Sequence, residues 1–247
     1  MKIGYLRVGF VPEDLQAEYG DYFPMFQALL RVHAPDIELR LYEIQHGEWP
    51  ASVDECDGYL CPGATNSVYE NLPWMPPLVA FVQEVYRQKV PFVGICFGHQ
   101  LIAHALGGEV KRAETGWGLG VRTLMFKGKE PWMDGDAEQI NLCFTHQDQV
   151  INLPPGGRII ASADHCPIAA LTVDDHLIGF QGHPEISPVY LRTLMRSRVS
   201  RIGGRLLGEA EQTLMRPTGH RDVMRWIGRF FWSRSKNREK KCTSHNM

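Results

Sequence analysis

The stretch Val90-Pro91-Phe92-Val93-Gly94-Ile95-Cys96-Phe97-Gly98-His99-Gln100-Leu101-Ile102 decides how this chain is read. An apolar β-type run leads into a cysteine that has a glycine two residues away on either side. An apolar helical run follows, through Leu101, Ile102, Ala105 and Leu106. Strand, sharp turn and helix, in that order, are the setting of a Gly-x-nucleophile-x-Gly elbow. The glycines leave room for strained backbone and for close approach of a substrate. A helix beginning just after Cys96 aims unpaired N–H groups and a positive dipole end at the sulfur, which favours the nucleophilic thiolate. Taken alone, a cysteine is most often a small buried hydrophobe, so the elbow requires a second motif.

That motif is His183-Pro184-Glu185, which follows the short apolar run Leu177-Ile178-Gly179-Phe180-Gln181-Gly182. A cysteine nucleophile needs a base that takes its proton and later passes it to the leaving group. Histidine titrates near neutrality and suits the task. A third group must hold the imidazole in one tautomer. Glu185 is two residues on, hence on the same side of an extended segment as His183, and Pro184 stiffens the spacer. Alone, the tripeptide reads as a surface turn; paired with the elbow, it predicts Cys96 as nucleophile, His183 as base and Glu185 as orienting group.

Acyl transfer passes through a tetrahedral oxyanion that needs N–H donors. The backbone N–H of Phe97, just after the nucleophile, is one expected donor. The loop Pro62-Gly63-Ala64, at the end of the preceding strand, is the expected source of the second, with Gly63 permitting close backbone approach.

Outward from the elbow, apolar runs alternate with helical patterns. Residues 2 to 9, 37 to 44, 57 to 61 and 91 to 95 read as strands, and residues 15 to 33 and 76 to 88 as helices. This β-α-β-α order predicts an α/β fold with a mostly parallel central sheet flanked by helices. From about 109 to 182 short strands separated by Gly, Pro and Asp predict antiparallel strand additions. Helices return at about 188 to 200, 204 to 215 and 219 to 232. The expected organisation is one domain over residues 1–232 and a basic tail, 233–247, without an apolar stripe and expected to be disordered.

Composition narrows the function classes. The 247 residues are 44% hydrophobic and 22% charged, as in ordinary globular domains, and the net charge of -2 gives no reason to expect nucleic acid. No apolar run reaches the length of a membrane span, and the N-terminus lacks a signal-peptide core. The six cysteines include no Cys-x-x-Cys pair, so a reduced, cytoplasmic setting is expected, with Cys56, Cys143 and Cys166 structural. No metal motif, Walker loop or dinucleotide fingerprint is present; no metal and no cofactor are expected.

The chain resembles the class I glutamine amidotransferases, of the stand-alone kind similar to the glutaminase domain of GMP synthetase. The resemblance rests on Gly94 to Gln100 and on His183-Pro184-Glu185. It continues through Gly20-Asp21-Tyr22, Ser67 to Trp74, Gly116-Trp117-Gly118-Leu119-Gly120 and Thr145-His146-Gln147-Asp148-Gln149-Val150, covering roughly residues 3 to 232. It implies a flavodoxin-like fold and a Cys-His-Glu triad that cleaves a γ-glutamyl amide through a γ-glutamyl thioester. It places the oxyanion loop at Gly63, where Ala64-Thr65 leaves the identity of the donor open, and sets Gln100 and His146 beside a small-molecule γ-glutamyl substrate. Three readings stay open: a glutaminase supplying ammonia to a separate synthetase subunit, a stand-alone γ-glutamyl peptidase, and a retired amidotransferase fold serving as a binding module. The absence of a fused synthetase tilts the expectation to the second. Retention of Cys96, His183 and Glu185 counts against the third.

Overall fold

A computed structural model of the chain describes the backbone of residues 1–244 and the side chains through Arg234. The first half alternates: β1 (Lys2–Arg7), α1 (Glu13–Tyr19), α2 (Tyr22–His33), β2 (Glu38–Glu43), β3 (Gly58–Cys61), α3 (Met75–Arg87), β4 (Phe92–Ile95) and α4 (Phe97–Ala105). Then come β5 (Glu109–Arg112), β6 (Gly118–Phe126), β7 (Gln139–His146), β8 (Asp148–Asn152), β9 (Gly157–Ala163), β10 (Cys166–Val173) and β11 (Leu177–Phe180). The chain closes with α5 (Pro188–Ser197), α6 (Val199–Ile202), α7 (Gly204–Glu211) and α8 (His220–Ser244).

A nine-stranded sheet runs in the order β2-β1-β3-β4-β11-β10-β9-β6-β7, and β5 pairs with β8 in a separate ribbon. Neighbours from β2 to β11 are parallel, and those from β11 to β7 are antiparallel. This is the expected parallel core with antiparallel additions. Side-chain alternation splits the parallel strands between two apolar layers. Ile3, Tyr5, Leu60, Val93 and Ile95 pack with Phe26 and Leu30 of α2 and Trp226 and Phe230 of α8. Leu6, Tyr59, Cys61 and Phe92 pack on the other face with Leu78 and Val82 of α3 and Leu101 and Ile102 of α4.

Two expectations are corrected. The helix expected over residues 15 to 33 is two helices, because Gly20 turns at φ 74° and Asp21 anchors the break. The Asp21 carboxylate accepts from the Val11 N–H and from Arg7 Nη1, each at 2.9 Å. The last helix does not stop at 232. It continues to Ser244, since adding Arg, Lys and Glu to an existing helix costs little. Ser233 Oγ donates to the Phe230 carbonyl and Arg234 pairs with Asp175 at 2.8 Å. The disorder expected at residues 245–247 lies outside the described residues.

The junction of β4 and α4 is packed backbone to backbone. A Cβ on Gly94 would lie 2.3 Å from the carbonyl carbon of Gly98, and one on Gly98 would lie 2.1 Å from the Cys61 carbonyl oxygen. His99, next on α4, is fully buried and donates from Nε2 to the Ile168 carbonyl of β10 at 3.1 Å. Burial pushes His99 down to about 4, and also lowers His176, which bonds the Tyr86 carbonyl at 3.1 Å.

Replacing Gly98 by Ala should cost about 2–3 kcal/mol of stability, because only backbone could yield. Gly208→Ala, facing open space on α7, should add about 0.5–1 kcal/mol; urea midpoints of both variants check the contrast. The buried histidines set an acid limit. Unfolded imidazoles take protons near pH 6.5, which the folded ones refuse until about pH 4 for His99. The unfolded state therefore binds more protons in that window, and stability falls as pH drops through it. Thermal melts should show a lower midpoint at pH 5 than at pH 7.5; equal midpoints would refute the account.

Candidate active site

Parallel strands deliver their carboxyl ends to one edge of the sheet, and β3, β4 and β11 are adjacent. The register pairs Cys61 with Gly94 and Ile95 with Phe180. The segments that follow, Pro62-Gly63, Cys96 and Gln181 to Glu185, therefore leave the sheet side by side, where ligands of open α/β sheets bind.

Cys96 adopts φ 51° and ψ -97°, a region that strains a residue carrying a Cβ by about 1–3 kcal/mol. Its neighbours hold it there. The Cys96 N–H donates to the Phe180 carbonyl at 2.8 Å, and its carbonyl accepts from Gln100 N–H at 3.1 Å. The residue is only 5% exposed. Phe97 opens α4, so its N–H is among the first-turn donors for which a helix has no acceptor. The next one, Gly98 N–H, is taken by the Pro62 carbonyl at 3.3 Å.

His183 is fixed at both ends. Its backbone N–H donates to the Cys143 carbonyl of β7 at 2.8 Å. Its Nδ1–H donates to Glu185 Oε1 at 2.7 Å, with both side chains buried. A carboxylate can only accept, so this bond sets the proton on Nδ1. The other nitrogen, Nε2, is buried with no hydrogen-bond partner among the described residues. Burial alone would lower the imidazole; the Glu185 carboxylate and the Cys96 sulfur outweigh it and hold His183 above its ordinary value. Gly63 has the His183 ring where a side chain would be: its Cβ would sit 2.8 Å from Cε1 and 3.5 Å from the Cys96 Cβ. The structure thus brings Cys96, His183, Glu185, Gly63 and Phe97 together.

Gln100 and His146 also line the cavity of about 190 Å³ that opens over Cys96, yet both are engaged by the protein. Gln100 Nε2 donates to the Asp148 carbonyl at 2.8 Å and to Gln181 Oε1 at 3.1 Å. His146 Nδ1–H donates to the same Asp148 carbonyl at 2.9 Å, and its Nε2 faces His165 Nε2 at 3.3 Å. Burial and the neighbouring imidazole of His165 push His146 down to about 3, so it is neutral at pH 7. The other thiols differ in setting. Burial pushes Cys143 and Cys166 up to about 12 and Cys61 higher still.

Sequence reading missed Gln181. Its Nε2 donates to Cys96 Sγ at 3.4 Å while its Oε1 accepts from Gln100, and it is wholly buried. The signal was present: a lone amide directly after the apolar run 177–180 and two residues before His183. Buried amides are hydrogen-bonded, so such a residue needed a polar partner. Among the described residues no group of three or more His, Cys, Asp or Glu is arranged to hold a metal, and no helix is long and apolar enough to cross a membrane.

The chain is similar to known proteins in sequence and in fold. Over 207 residues the chain is 28% identical to gamma-glutamyl peptidase 3 of Arabidopsis thaliana, covering 81% of each protein. It is 37% identical over 126 residues to the glutamine-hydrolysing GMP synthase of Clostridium novyi, which spans 50% of this chain and 23% of that one. A solved glutamine amidotransferase from Thermotoga maritima shares the fold, with a TM-score of 0.73 over 95% of this chain and 97% of that one at 17% identity. Residues 29–195, which carry the elbow and the His-Pro-Glu segment, match the family model of the class-I glutamine amidotransferases, and the chain belongs to that family.

Proposed function

We propose that the protein hydrolyses a γ-glutamyl amide through a γ-glutamyl thioester on Cys96. The observation that carries this reading is the convergence of a strained elbow cysteine with a buried histidine whose Nδ1 is locked to Glu185. His183 takes the Cys96 proton and stands as an imidazolium paired with Glu185, while Sγ attacks the γ-carbonyl carbon. The oxyanion meets the Phe97 N–H and a backbone donor of the Gly63 loop. Collapse expels the amine, which takes its proton from His183 Nε2 and leaves the acyl group on sulfur. Water, giving a proton to Nε2, then attacks the thioester; glutamate leaves and the thiol is restored. Gln100 and His146 shape the wall of the γ-glutamyl pocket, and Gln181 aims Sγ.

A stand-alone peptidase is favoured over ammonia supply to a separate synthetase subunit. The match to gamma-glutamyl peptidase 3 extends over 81% of the chain, against 50% for the GMP synthase. A retired binding module would have no use for the strain at Cys96 or for a buried carboxylate on His183.

Purified protein should release amine or ammonia from γ-glutamyl peptides or glutamine without a partner. Cys96→Ala and His183→Ala should each lower kcat by about a thousandfold or more, and Glu185→Gln by less. Gln181→Leu, which keeps the volume but removes the donor to sulfur, should lower kcat with little change in KM. Full activity of Cys96→Ala would end the thioester mechanism.

A further inference from the structure

Two arginines, Arg198 and Arg201, line the Cys96 cavity. Other arginines nearby in the chain are paired: Arg196 bonds Glu211 at 2.6 Å and Arg205 approaches Glu209 at 3.9 Å. Among the described residues Arg198 and Arg201 have no carboxylate partner. Arg198 Nη1 reaches only the Thr145 hydroxyl, at 3.5 Å, and the Arg201 guanidinium lies 5.8 Å over the Trp117 ring. The cavity's own acids are already engaged. Glu70 accepts from Ser67 N–H at 2.7 Å and Asn66 Nδ2 at 2.9 Å, and Asp148 accepts from the Ser67 and Tyr69 hydroxyls.

The side of the cavity on which the arginines stand is decisive. Thr145 is two residues along β7 from Cys143, whose carbonyl holds the His183 backbone. Tyr22, which lines the same cavity, meets Tyr190 hydroxyl to hydroxyl at 3.2 Å. Arg198 therefore reaches the same strand, β7, that holds the His183 backbone. In acyl transfer the leaving amine departs on the side of the base, because that base must protonate it. Guanidinium forks match carboxylates.

We infer that Arg198 and Arg201 bind a carboxylate on the leaving group, so that the substrate is a γ-glutamyl amino acid or peptide with a free carboxylate rather than glutamine itself. The inference rests on the proposed γ-glutamyl hydrolysis and deepens it. Trp117, whose Nε1 donates at 2.9 Å to the Gln147 amide oxygen in the orientation that satisfies both its donors, is a fixed platform for Arg201.

The test separates binding from turnover. Cys96→Ala protein, which cannot turn over, should bind a γ-glutamyl dipeptide about ten- to a hundredfold more tightly than the same dipeptide with its C-terminal carboxylate amidated. Adding Arg198→Gln, or Arg201→Gln, should shrink that ratio toward one, as read by calorimetry. In active protein the same replacements should lower the ratio of kcat/KM for free over amidated peptide. Equal affinity of the two peptides, or no binding of either, overturns the inference. A weakening of both peptides by the same factor overturns it too, since it would put the arginines on the γ-glutamyl residue's own carboxylate. Preference for the free acid in the Cys96→Ala protein, with no turnover by the wild type, would retain the site and reject the hydrolysis.

Discussion

The structure depends on one close backbone crossing. The first turn of α4 sits on the ends of β3 and β4 at a distance that only hydrogen atoms at Gly94 and Gly98 allow. That crossing forces the intervening Cys96 into positive φ and turns it out at the sheet's carboxyl edge. The strain is offset locally. Cys96 N–H is tied to β11 and its carbonyl to Gln100, so the nucleophile's backbone is clamped by its neighbours on both sides. A wider loop would relieve the strain and lose the fixed aim of the sulfur. Such over-determined strain is usual at sites whose geometry must be set before a ligand arrives.

A second constraint follows from burying polar groups around that sulfur. An unpaired buried amide costs about 1–3 kcal/mol, so Gln100, Gln181 and the Asp148 carbonyl satisfy one another and, through Gln181, the sulfur. His146 uses the same Asp148 carbonyl and is held neutral, which leaves His183 as the imidazole in the cavity whose surroundings favour a positive charge. The separation of the two histidines is electrostatic. Glu185 bonds one, and the other's ring nitrogens face a carbonyl and another imidazole.

Most of the fold and the core of the candidate site were legible because their signals are local. The elbow is seven residues long and His-Pro-Glu is three; the β-α alternation around them is read from periodicity. The break at Gly20-Asp21 was not legible, since the anchor that turns the chain is Arg7, on another element. Gln181 looked like one polar residue in a strand, and only the register of β11 against β4 brings it to Cys96. Nothing in the sequence singles out Arg198 and Arg201. Their meaning comes from which carboxylates they lack, and that depends on how the end of α5 packs beside β7. Local chemistry can be read from the chain; pairing across elements cannot.

The charge layout of the cavity bears on what the amine can be. Ammonia is small and neutral when it leaves, and nothing about its departure calls for a cation beside the base. A guanidinium near His183 works against the imidazolium that must form there, because like charges in a cavity partly shielded from water repel. Glu185, at 2.7 Å from Nδ1, offsets such repulsion. A carboxylate arriving on the leaving group would remove it altogether. It would neutralise Arg198 in the same step that brings the scissile amide to Cys96, so the charge balance best suited to an imidazolium would exist only with an anionic substrate in place. Binding energy from a remote part of the substrate would then be expressed at the reacting centre, which is how an enzyme gains rate from contacts that do no chemistry themselves.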